Sequence, residues 1–257
     1  MTNDWRSHIL GCTSYIIERS VHLSILKRYS IFIIAIIIQS SGISLVVKSM
    51  LGTSPISSFP YVLSLAFPFS LGQFTFAINM LLVLGQVLLL RRDFDRVQWL
   101  QIPMTMIFAY AIDVFMDIWS SPENYLIKLL PLAFGATFIA LGVALQGIAN
   151  VLMLPGEGIV YAVSRRFCIA FGKVKTANDV LLVVLAMIIS LVYLGDIEGI
   201  REGTLFSAVV TGGIAQFFLR HLARVDTYGH LVLKNPFASE TNDREKSMQK
   251  PESKTAR

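Results

Sequence analysis

Apolar residues along the chain gather into six runs long enough for ~20-residue transmembrane helices: Ser30 to Val47, Leu71 to Leu90, Trp99 to Trp119, Leu126 to Ile148, Thr176 to Leu194 and Thr204 to Leu219. Two shorter apolar pieces, Ile56 to Phe69 and Gly156 to Ala170, follow breaks rich in glycine, proline and serine, "SMLGTSPISSF" and "VLMLPGEGIV". At about 15 residues, or ~22 Å of helix at 1.5 Å per residue, each piece falls short of a ~30 Å hydrocarbon core. Pro55 is placed to open a helix with Ser54 as its cap, and Glu157 to complement the N-terminus of the second piece. The pattern predicts an all-α membrane protein of about six transmembrane helices, with a short re-entrant or interfacial helix after each break. Eight short spans is the alternative.

A shift of one hundred residues lays one break on the other. Pro55 falls on Pro155, Tyr61 on Tyr161, Ser64 on Ser164, Phe67 on Phe167 and Gly72 on Gly172, with Gly42 meeting Gly142 upstream and Ala77 meeting Ala177 downstream. Matching leucines and valines carry little weight in so apolar a chain; ungapped agreement of proline, tyrosine and glycine carries more. The last run of each half aligns after a short gap, Asp113 with Gln216 and Phe115 with Phe218. The expected organisation is therefore a cytoplasmic amphipathic segment over 1–29, membrane repeats over 30–120 and 121–222, and a disordered cytoplasmic tail over 223–257. Three spans per repeat is an odd number, so the halves are expected to sit upside down relative to each other, as in many secondary transporters.

Charge supports this count. Only 15% of residues are charged, against roughly 25% in soluble domains. If the short pieces do not cross, the N-terminal Arg19, Lys27 and Arg28, the "RRDFDR" stretch and Arg165, Arg166, Lys173 and Lys175 all fall on the cytoplasmic side, as the positive-inside rule requires. Crossing by both pieces throws "RRDFDR" outside and buries Arg165 and Arg166 in a span. Loop cations also account for the net charge of +5, and no basic stripe or RNA-binding motif points to nucleic acid. The charged opening lacks the apolar core of a secretory signal. Cys12, Cys168 and four scattered histidines offer neither a disulfide framework nor metal-ligand spacing, so no metal or cofactor is expected.

"GTSPISS", "LPGEGIVYAVS" and "REGTLFSAVVTGGIAQFF" resemble the YczE and YitT-like bacterial integral membrane proteins, over about Ser30 to Leu222. The shared elements are a glycine and proline break with a short helix in each half, and a glycine-threonine pair, Gly203 and Thr204, that starts the last span. In that family an acidic residue often follows the first break; here Ile56, Ser57 and Ser58 stand there and only Glu157 remains, after the second. The resemblance implies a multi-pass protein of the bacterial cytoplasmic membrane, with transport inferred and a supporting role in secondary-metabolite production associated with some members. It supplies no substrate.

Ionisable groups inside spans are functional candidates by default. Asn79 and Asp179 are equivalent under the shift, and pseudo-symmetry would let them face each other near the midplane, with Asn178 beside them. Asp179 is thus a candidate proton or cation site with Asn79 as partner, although Lys173 and Lys175 are close enough in sequence for a structural pair. Asp113 could line a route with Gln216 as counterpart, and Glu157 either caps its helix or binds a coupling ion. Gly52, Pro55, Pro155, Gly156, Gly203 and Thr204 mark the structural breaks. These features favour a small-solute or ion transporter or channel embedded in a lipid bilayer, with a homo-oligomer left open. The alternative is a non-transporting accessory protein that supports a biosynthetic or export complex. An enzyme is not expected: "YLGD" and "YAID" lack the glycine-x-glycine-aspartate of intramembrane aspartyl proteases, and no serine-histidine, metal or phosphate-loop constellation is present.

Overall fold

The computed structural model describes residues 25–91, 94–169 and 171–196, single positions between 199 and 218, and 223–225 and 231–233. Seven α-helices make up the membrane region: α1 (Ile25–Lys48), α2 (Pro55–Ala66), α3 (Leu71–Leu90), α4 (Gln101–Ile118), α5 (Tyr125–Ala149), α6 (Pro155–Phe167) and α7 (Phe171–Ile189). A 3-10 turn, Arg96–Leu100, leads into α4, and a π-turn, Ser190–Leu194, extends α7. Helical residues recur at intervals from Gly203 to Phe218. A three-residue antiparallel pair, Ala223–Val225 with Leu231–Leu233, follows.

Five of the helical stretches are long and apolar enough to cross a membrane: Leu26–Lys48, Leu71–Leu90, Arg96–Ile118, Tyr125–Ala149 and Phe171–Leu194. They coincide with five of the six expected spans. The sixth, Thr204 to Leu219, lies partly outside the described residues, as do the amphipathic segment and most of the tail. α2 and α6 have 12 and 13 residues, shorter than the expected pieces, and at ~1.5 Å per residue neither exceeds about 20 Å. α2, α3, α6 and α7 begin at residues 55, 71, 155 and 171, and α1 and α5 at 25 and 125.

The core forms where α1 crosses α5. A β-carbon on Gly42 would stand 2.7 Å from Ile139 N and 2.8 Å from Gly135 O, and one on Gly142 would stand 2.7 Å from Gln39 Cβ and 2.8 Å from Ala35 O. The helices therefore run antiparallel and touch through backbone, the close approach that small residues permit in membrane bundles. Hydroxyls on α1 tie α4 to the same core: Ser40 Oγ donates to Phe108 O at 3.1 Å and Ser44 Oγ to Ile112 O at 3.0 Å, each also bonded to its own helix. Gln146 donates to Gln39 across the α1–α5 contact, as expected for a polar residue in a span, whereas Thr211 Oγ1 is buried with no partner among the described residues.

Around this pair, α2 packs on α7 and α3 packs on α6, while α2 also touches α3, and α6 touches α7. Cys168, at the end of α6, is disulfide-bonded. That corrects the expectation that the cysteines take no part in a disulfide; two isolated cysteines carry no spacing from which proximity in space can be read.

Candidate functional site

Each first span ends in a left-handed residue, Met50 (φ 56) after α1 and Asn150 (φ 45) after α5. A helix that ends away from water leaves backbone carbonyls to be satisfied by protein, and both breaks find arginines. Arg28 Nε donates to Ala149 O at 2.9 Å and its terminal nitrogen to Asn150 O. Arg201 Nη1 donates to Met50 O at 3.4 Å.

The first break is further clamped by the start of the last helix. Gly203 N donates to Leu51 O at 2.8 Å, Thr53 N to Thr204 Oγ1 at 3.1 Å, and Ser207 Oγ to Thr53 O at 3.1 Å. Gly52 has φ +128, and a β-carbon there would stand 2.6 Å from Thr204 Oγ1, so both conformation and space demand glycine. Gly203 and Thr204 thus act together with Gly52, although they lie in opposite halves of the chain. Ser54 occupies the N-cap position of α2 but makes no side-chain cap; its hydroxyl is taken by Ser57 Oγ.

The second break leads into α6 beneath a buried glutamine pair. Gln86 and Gln101, almost fully buried on α3 and α4, bond each other, and Gln86 Nε2 donates to Pro155 O at 3.2 Å. Gly158 leaves the room, since a β-carbon there would stand 2.7 Å from Gln86 Oε1. The first turns of the short helices meet: the Ile56 Cδ1 methyl lies against Gly156, within overlap distance of any β-carbon placed there.

The carboxylates divide between two places. Asp113, on α4, accepts from Ser70 Oγ at 2.6 Å and from Gly72 N at 2.7 Å, so it satisfies the N-terminal donors of α3. It also borders a pocket of about 520 Å³ between the ends of α1, α2 and α4 and the start of α3, together with Lys48, Tyr61, Gln73 and Asp117. Its expected counterpart, Gln216, lies outside the described residues. Asp179 pairs with Lys175 Nζ at 2.9 Å, one turn earlier on α7. Asn79 Nδ2 donates to Thr75 O on its own helix at 2.8 Å, so both polar groups are engaged within their own helices. Asn178 Nδ2 is buried with no partner among the described residues. Glu157 is half-buried in the first turn of α6, and the charges acting on it are those of Lys175 and Asp179. Among the described residues no three His, Cys, Asp or Glu side chains gather to hold a metal ion.

Gln86, Gln101, Arg28 and Arg201 went unmarked in the sequence. A lone glutamine inside "LLVLGQVLLL" was the available signal for the first of them.

With these breaks and helices in place, the comparison with known families is decisive for ancestry: the model of DUF6198, a family of unknown function, matches residues 26–220. The chain belongs to that family. The matched region takes in all seven helices save the first residue of α1, together with the helical positions up to Phe218. An uncharacterized protein of Haemophilus influenzae is 24% identical over 200 residues, covering 77% of this chain and 86% of that protein. No solved structure matches.

Proposed function

We propose that this DUF6198 member is a small-solute or ion transporter of the bacterial cytoplasmic membrane, with both termini cytoplasmic. It is built from two inverted copies of one unit, each contributing a short re-entrant helix, the plan implied by its resemblance to the YczE and YitT-like proteins. The observation that carries this reading is the contact between Ile56 and Gly156. The two positions are equivalent under the hundred-residue shift, and equivalent positions that touch lie beside the axis relating the halves. For inverted repeats that axis runs in the membrane plane. The first turns of α2 and α6 then lie near the midplane, and their last turns point to opposite faces.

The remaining packing supports the same axis. Gly42 meets residues 135 and 139 while Gly142 meets 35 and 39, and α2 on α7 is answered by α3 on α6. Each relation turns into the other when one hundred is added to one partner and subtracted from the other. Irregular backbone at membrane depth is tolerated where protein or water satisfies it, and the clamps on Thr53 and Pro155 supply that protein. Exchanging the conformations of two such halves would expose a central site to each face in turn, with the pocket beside Asp113 as one vestibule.

The test is ligand-induced thermal stabilisation of the detergent-purified protein across metabolites and ions over a pH series, beside a folded Asp179→Asn variant. A ligand at about one hundred times its Kd stabilises by about 2.7 kcal/mol. A reproducible shift that vanishes in the variant supports transport. No shift in a stable protein removes it in favour of the accessory role, for which deletion of 223–257 should abolish function.

A further inference from the structure

Under the hundred-residue shift, Glu157, Lys175 and Asp179 correspond to Ser57, Thr75 and Asn79. The first three form one group, since Lys175 bonds Asp179 and both charges act on Glu157. The second three are neutral, and each is bonded locally: Ser57 to Ser54, Thr75 Oγ1 to Leu71 O at 2.7 Å, and Asn79 to Thr75 O. The halves therefore share a framework and differ in charge at one place in it.

That place has two carboxylates and one ammonium. Lys175 is committed to Asp179 at 2.9 Å, and the Glu157 carboxylate accepts no hydrogen bond among the described residues. α6 packs against α3 and α7; α3 carries no ionisable residue, and α7 contributes only Lys173, Lys175 and Asp179. An isolated carboxylate away from water is expensive unless it is paired or neutralised.

A metal cation is a poor neutraliser at this position. The first turn of a helix presents backbone N–H groups and partial positive charge, Lys175 adds a full one, and hard cations require a shell of several oxygens. A proton requires only one carboxylate oxygen. Glu157 also follows Gly156, whose contact with Ile56 marks the meeting of the short helices, so its proton would sit beside the axis, where access can alternate.

We infer that Glu157 is a single-proton binding site, present in the second half alone and held beside the Lys175–Asp179 pair as the coupling group of the proposed transporter. This rests on the transport reading only for its role. One proton adds to one Glu157 oxygen while Lys175 stays with Asp179, and loss of that proton leaves Lys175 shared between two carboxylates.

The test needs no substrate. Infrared difference spectroscopy of the full chain in lipid, over a pH series in H₂O and D₂O, should reveal a protonated-carboxyl C=O band that shifts with deuterium and titrates as one group. The band should disappear in Glu157→Gln and in Glu157→Ser, the latter reproducing the first half's residue and serving should the former not fold. It should persist in Asp179→Asn. A band retained in folded Glu157 variants, or absent from the wild type, overturns the assignment. So does a band abolished by sodium chloride but not choline chloride at fixed pH, which would make the group a metal-cation site. A titrating Glu157 in a protein that no solute stabilises leaves the proton site standing and removes transport; stabilisation without titration does the reverse.

Discussion

The Ile56 side chain ends against Gly156, two residues one hundred positions apart in the chain and each in the first turn of a short helix. Because Gly156 lacks a β-carbon, α2 and α6 approach end to end without a side chain of α6 between them. The contact couples the two breaks directly, and whatever moves one first turn presses on the other.

A double-mutant cycle measures that coupling. Gly156→Ala should destabilise the protein by about 1–3 kcal/mol, the usual cost of overpacking, because the new methyl meets Ile56. Ile56→Ala removes the obstacle, so the double variant should regain much of the loss, with an interaction energy of about 0.5–3 kcal/mol. Thermal unfolding in detergent reads all three. Strictly additive losses would mean that the helices do not touch.

The α1–α5 crossing predicts a second symmetry. Gly42→Val and Gly142→Val each drive a side chain into the facing backbone, at 2.7 Å from Ile139 N and from Gln39 Cβ. Both should cost more than the ~1–3 kcal/mol typical of overpacking, and by similar amounts, since the two sites are mirror uses of one contact. Expression level and melting temperature of the pair check this. A large loss at one position and tolerance at the other would refute reciprocal packing.

What the chain disclosed by itself were its local features. Pro55 and Pro155 announce helix starts because proline suits a first turn, and Leu71 to Leu90 was recovered to the residue because an unbroken apolar run and its polar flanks are both written in sequence. The partners of polar groups were not. Asp113 looked like a pathway residue because it stands alone in an apolar run, yet its oxygens take Ser70 and Gly72 from a helix some forty positions earlier. Asp179 was matched to Asn79 by repeat position, yet Lys175, one turn away, holds it. Sequence equivalence locates a residue on the scaffold; which neighbour it bonds depends on rotation and reach, which no spacing rule encodes.

Asp113 accordingly serves as a test of structural against functional carboxylates. Asp113→Ala strands the Gly72 N–H and the Ser70 hydroxyl, and should cost about 0.5–2 kcal/mol, the range for loss of a helix cap. Asp113→Asn keeps an acceptor and should lose less. Thermal unfolding of both variants measures the order, and equal losses would argue that charge rather than capping matters.

Arg28 ties the first helix to the end of the fifth through Ala149 O and Asn150 O. Hydrogen bonds from charged donors contribute about 1.5–3 kcal/mol where buried, and this one is partly exposed. Arg28→Met should therefore lower stability at the low end of that range, and Arg28→Lys should recover only part, since an ammonium lacks the guanidinium's fixed fork. Arg201→Met, whose bond to Met50 O is 3.4 Å long, should cost less. The melting temperatures of the three variants rank them, and a larger loss at Arg201 would contradict the geometry.

Orientation can be decided by labelling. With both termini cytoplasmic, the link between α4 and α5 faces outward, and the turns before α4 and after α6 face inward. Cysteines at Ser121, Arg96 and Arg165, introduced singly with Cys12 and Cys168 changed to serine, should divide accordingly. A membrane-impermeant maleimide should reach Ser121→Cys in intact cells, and reach Arg96→Cys and Arg165→Cys only after permeabilisation. Cys168 makes the last of these the sharpest, because its disulfide-bonded state belongs to an oxidising compartment, whereas the arginines beside it belong inside. Outward labelling at Arg165 together with protection at Ser121 would reverse the whole topology while leaving the inverted packing intact. Outward labelling at both would place α6 and α4 ends on one face and remove the inversion itself.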